Sequence, residues 1–64
     1  MAGFSRVVKA ARDRLQMTQM EFATALGVHW RTVQKWEGGE RTPSGAALTA
    51  IRLLLESKER RVGR

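Results

Sequence analysis

The side chains able to do chemistry in this chain are few and mostly cationic. It has no cysteine and one histidine, His29, and 12 Lys and Arg stand against 6 Asp and Glu, for a net charge of +6 at pH 7. A Cys–His nucleophile pair is impossible. A Ser–His–Asp arrangement would have to be built around His29 on a very small surface, and a Cys/His zinc site cannot be assembled. The inventory does supply charge-assisted hydrogen bonding: Arg31, Gln34 and Lys35 lie close together, with a forked guanidinium, an amide and an ammonium, beside His29 and Trp30. A negatively charged partner is therefore the first to look for, and no enzyme activity, metal or cofactor is expected.

The elements that must position these groups read as helices. A chain of 64 residues, 42% hydrophobic, makes one small domain without disulfide or metal staples, so its stability must come from packing or oligomerisation. Phe4, Val7, Val8, Ala11 and Leu15 step by three and four, which predicts a first helix over 5–15 with Ser5 as its cap and Phe4 as a hydrophobic staple. Arg6, Lys9, Arg12, Asp13 and Arg14 take its outer face. Thr18-Gln19-Met20-Glu21 reads as a capping box that starts a second helix, carrying Met20, Phe22, Ala23 and Leu26 and stopped by Gly27.

A third helix is expected from Trp30 to Glu37, with Val33 and Trp36 inward and Gly38-Gly39 as its stop. Glu40 to Pro43 is a loop, Ser44 caps, and a fourth helix runs from about Gly45 to Ser57, with Ala47, Leu48, Ile51, Leu54 and Leu55 inward. Residues 58–64 are charged and read as fraying helix and then a basic tail, leaving 1–57 as the domain. No apolar run approaches the roughly 18 residues that cross a bilayer, and the start lacks the apolar stretch of a secretory signal, so a cytoplasmic protein with no membrane partner is expected.

The second helix, the turn at Gly27 and the third helix together form a helix-turn-helix, a unit whose second helix can lie in the DNA major groove. Ala23 is small where the third helix crosses it, Gly27 allows the turn, Val28 fills the corner, and Val33 with Trp36 holds the crossing. The alternative for such a pattern is two ordinary amphipathic helices of an unrelated bundle. The segment 18–43, TQMEFATALGVHWRTVQKWEGGERTP, resembles the lambda repressor/Cro (XRE) family of bacterial and phage regulators, in its TQ-x-x-x-A-x-x-x-G-V frame and its V-x-x-W-E-x-G-x-x-x-P ending. The flanking helices extend the likeness over roughly Phe4 to Leu55.

The resemblance implies an all-α bundle of four, or five, helices that binds double-stranded operator DNA as a homodimer, usually as a repressor. Short members often autoregulate phage, plasmid, toxin–antitoxin or anti-CRISPR operons, which would place the protein at the bacterial nucleoid. It also implies site residues by position. His29, Trp30, Arg31, Gln34 and Lys35 fall where the family contacts base edges. Thr18, Gln19, Thr32, Gly39, Arg41 and Thr42 fall where it meets phosphate, with Gln19 also bracing the first recognition residue.

Arg31 can fork onto guanine and Gln34 onto adenine, while Lys35 can serve guanine or phosphate. Trp30 departs from the family's usual small or polar residue: it either touches a thymine methyl or sugar, or lies over the neighbouring turn. Glu40, where relatives often carry a basic or polar residue, weakens the loop's electrostatic case. Arg6, Lys9, Arg60, Arg61 and Arg64 read as a solvated cationic surface outside the core site.

Leu53 lies nearly opposite Ile51, so one core cannot bury both. With Ala46, Thr49 and Ala50 it forms a stripe that could serve as a two-fold dimer seam; a scattered exposed leucine is the alternative. Two other readings compete with the operator-binding regulator. One is an antitoxin or adaptor that keeps the fold to bind a protein, with weak and sequence-indifferent DNA binding. The other is RNA binding, disfavoured by the absence of an aromatic stacking surface.

Overall fold

The structure is a computed structural model that describes residues 3–62, with side chains through Lys58. Four helices follow in order, α1 (Gly3–Leu15), α2 (Gln19–Leu26), α3 (Trp30–Glu37) and α4 (Gly45–Val62), and no strand occurs among the described residues. The expected all-α class is the one found. No helix among the described residues is long and apolar enough to cross a membrane.

Each helix contributes a narrow apolar stripe to one core of Val8, Ala11, Phe22, Ala23, Val33, Trp36 and Ile51. Burying each of the larger side chains contributes about 1.5–3 kcal/mol. Partly buried Leu15, Met17, Leu26, Val28, Ala47, Leu54 and Leu55 close the margins of this core. Leu48, expected on the inward face of α4, is half-buried.

The α1 expectation needs correction at its first turn. The helix begins at Gly3, so Ser5 sits inside the first turn instead of capping it, and Phe4 is not a staple ahead of a cap. Phe4 and Val7 stay 41% and 51% exposed. Phe4 lies one turn ahead of Val8, and Val7 is turned about 100° away from the Val8–Ala11 stripe. The exit of α1 is closed by Gln16 in a left-handed conformation (φ 57°), with its amide donating to the Asp13 carbonyl and the Met17 amide to the Arg12 carbonyl.

At its far end α4 runs into the stretch expected to fray, and Gly63 and Arg64 of the expected tail lie outside the described residues. The helix continues past Ser57 to Val62, because Glu56 to Val62 contains strong helix formers and neither glycine nor proline. Lys58 reaches back across the molecule and donates to the Arg14 carbonyl at the end of α1. Its start is as expected: the Ser44 hydroxyl accepts from the Ala47 amide at 3.1 Å.

Candidate nucleic-acid interface

The corner between α2 and α3 is built from local signals that agree with one another. The Thr18 hydroxyl accepts from the Glu21 amide at 3.1 Å while the Glu21 carboxylate accepts from the Thr18 amide at 2.9 Å, a closed capping box. Gly27 ends α2 at φ 75°, a conformation that costs an L side chain about 1–2 kcal/mol, and the Val28 amide returns to the Ala23 carbonyl. Val28 is half-buried in the turn, and Phe22, Ala23, Val33 and Trp36 are buried where α2 and α3 cross.

This crossing turns the opposite face of α3 outward. His29, Arg31, Gln34 and Lys35 are exposed, and Trp30 and Thr32 are half-buried. His29 is the N-cap: its Nδ1 accepts from the Arg31 amide at 3.1 Å, which places the ring proton on Nε2 and leaves that N–H as the donor available to a partner. The His29 and Trp30 rings stack with centroids 6.0 Å apart and planes at 26°, and the Arg31 guanidinium carbon lies 5.8 Å from the Trp30 ring centre. Trp30 packs partly against the core and also lines an open groove with Thr18, Gln19 and Met20.

The opposite end of α3 is pinned. Glu37 sits in the last turn, where the helix dipole disfavours an anion, and it is held from two other helices. Arg12 Nε donates to Glu37 Oε2 at 2.6 Å and Nη2 to Oε1 at 3.1 Å, while Gln19 Nε2 donates to Oε1 at 3.1 Å. Arg12 Nη1 also donates to the Met17 carbonyl at 3.1 Å. Burial works to raise the Glu37 pKa, but the Arg12 and Gln19 hydrogen bonds, with the charges of Arg12 and Lys9, overcome it and hold the carboxyl below its usual range. Arg12 is held more firmly protonated, first by its hydrogen bond to Glu37.

Arg12 was expected on the outer face of α1, and its role here was missed. An acid at a helix C-terminus is itself a signal that a cation must lie nearby, although sequence spacing alone cannot say which one. Gln19 also differs from expectation: its amide braces Glu37 at the end of α3, not the first recognition residue, and its second amide hydrogen remains for another acceptor.

Two groups of expected site residues lie apart from the groove. Arg41 and Thr42 are exposed in the loop after α3. Gly39, expected to offer its amide to phosphate, uses it to close the helix: the Gly38 amide donates to the Gln34 carbonyl, Gly39 to Trp36, and Glu40 and Arg41 both to Lys35. With φ 80° the residue serves the turn. Ala46, Thr49 and Leu53 form an exposed line on α4 beside half-buried Ala50, and Ile51 faces the core.

Comparison with known proteins places the same segment in a known setting. A helix-turn-helix family model matches residues 8–60. A type II methyltransferase, M.SsoII of Shigella sonnei, is 51% identical over 47 residues, covering 69% of this chain and 12% of that protein. A second, M1.ScrFI of Lactococcus lactis subsp. cremoris, is 44% identical over 50 residues, covering 73% of this chain and 13% of that protein. The chain thus spans about an eighth of the length of these relatives. No solved structure matches.

Proposed function

This chain belongs to the helix-turn-helix family in its lambda repressor/Cro-like (XRE) form, a DNA-binding fold, and on that premise we propose that it is a sequence-specific transcriptional regulator, a repressor acting at a pseudo-palindromic operator. The observation that carries the proposal is the outward face of α3, where Arg31, Gln34 and Lys35 are exposed with no acidic residue among them, while the inward face is locked by Val33 and Trp36. In the major groove, His29, Trp30, Arg31, Gln34 and Lys35 meet base edges. Thr18, Gln19, Thr32, Arg41 and Thr42 meet phosphate, and Gly39 shapes the loop that carries Arg41. A homodimer through Ala46, Thr49, Ala50 and Leu53 would set two copies of α3 about one helical turn, roughly 34 Å, apart.

Selection from a random pool of duplexes tests this reading. An enriched inverted repeat with half-site centres about one turn apart supports it. Failure to enrich any sequence well above micromolar protein overturns it in favour of a protein-binding module. A second reading comes from the two methyltransferase relatives: the unit provides DNA binding beside a methyltransferase activity. It predicts that the enriched sequence is a site at which that methyltransferase acts, not a promoter element.

A further inference from the structure

We infer that Trp30 and Met20 form a receptor for the C5-methyl group of a pyrimidine base, with Arg31 set to take the guanine next to it. The inference rests on the reading of α3 as the helix that enters the major groove. It begins from a misfit: Met20 is 64% exposed in the first turn of α2, while Phe22 and Ala23 of the same helix are buried. The side chain adds nothing to the core. Together with Trp30 it gives an apolar lining to an open groove of about 450 Å³, completed by Thr18 and Gln19, where the starts of α2 and α3 meet.

The neighbours of this groove indicate what it faces. Arg31, Gln34 and Lys35 continue along the same exposed face, in a chain of net charge +6, so the surface suits a polyanion and the apolar notch is an island in it. The floor of the DNA major groove is a field of hydrogen-bonding groups broken by one apolar feature, the methyl group on the pyrimidine C5. The indole is also held in place before binding, with the His29 ring stacked at 6.0 Å and the Arg31 guanidinium 5.8 Å from the ring centre. That guanidinium is next to the indole, so an arginine fork on guanine and a methyl group on the ring fall on neighbouring bases. The methyl can belong to thymine or to 5-methylcytosine.

The test uses the full chain and the duplex enriched by selection, with each thymine changed in turn to uracil and each cytosine in turn to 5-methylcytosine. One symmetry-related position, beside a guanine, is expected to bind about fourfold more weakly without its methyl, the factor given by burying one such group. In Trp30→Ala and in Met20→Ser the ratio of thymine to uracil affinity falls towards one. Met20 is exposed, so Met20→Ser carries the test should Trp30→Ala fail to fold, as checked by circular dichroism. If 5-methylcytosine in place of that thymine binds more tightly than cytosine does there, the receptor takes the methyl from either base; if it does not, the source is thymine. A duplex enriched but indifferent to every thymine-to-uracil change and to every cytosine methylation overturns the inference alone. So does a Trp30→Ala protein that loses equal affinity for both duplexes, which would mark a sugar contact. Absence of any enriched sequence removes the underlying reading as well.

Discussion

The two ends of α3 carry a tryptophan each and use it in opposite ways. Trp36 is 4% exposed and belongs to the core, in the same turn as the Glu37 carboxylate held by Arg12 and Gln19. Trp30 is half-buried, edges an open groove, and sits between a capping histidine and an exposed arginine. One eight-residue helix is thus anchored at its C-terminal end and presented at its N-terminal end. Residue type does not set the role; the position around and along the helix does.

The sharpest way to break this comparison is Trp36→Ala. It should destabilise the domain by about 3–5 kcal/mol, a large part of the total stability of a chain this small, and thermal melting followed by circular dichroism reads the loss. Trp30→Ala should shift the same melt by much less; equal shifts would make Trp30 a core residue and remove the asymmetry.

Glu37→Gln should come next. It leaves the partly buried Arg12 guanidinium without its counter-charge and should cost about 1–3 kcal/mol, between an exposed and a fully buried pair. The pH dependence has a definite sign. Glu37 is held below the ordinary glutamate range, so its contribution is complete above the unfolded value near 4.3 and is lost as pH falls through the lower folded value. Below about pH 4 the parent should therefore lose stability more steeply than Glu37→Gln. Parallel curves would show that the ion pair does not anchor the helix.

At the presented end, Arg31→Ala should leave the melting of the free protein within about 0.5 kcal/mol and remove about 1–3 kcal/mol of discrimination at one base pair, measured by titration with matched and mismatched duplexes. The smallest effect belongs to His29→Ala. Loss of the Nδ1 cap should cost about 0.5–1 kcal/mol, and His29→Asn, which restores an acceptor at that position, should recover most of it.

The corner was more legible in the sequence than the frame around it, for a physical reason. Thr18 with Glu21, Gly27 after Leu26 and Ser44 before Gly45 act within three or four residues, so both ends of α2 and the start of α4 follow from neighbours alone. Val33 and Trp36 were legible because a three-residue step fixes a shared face. The bond between Arg12 and Glu37 spans 25 positions, and periodicity assigned Arg12 to solvent because the spacing within α1 carries no information about what α3 brings near it. Phe4 and Val7 were misread because amphipathic spacing shows a possible face, while the packing of the other helices decides how much of it is covered. At the site, the sequence indicated which residues lie on the outward side of α3. It did not show that the Gly39 amide is engaged within the turn or that Gln19 turns towards Glu37.

The Lys58 hydrogen bond to the Arg14 carbonyl sets an order in time. Its partners are 44 positions apart, so at a synthesis rate of about 5–20 residues per second the donor arrives roughly 2–9 s after the acceptor. The corner of α2 and α3 closes from residues made in immediate succession, whereas the bond from Lys58 to the last turn of α1 waits for most of α4. The contacts that shape the corner of α2 and α3 can therefore form before the bond that ties α4 to α1.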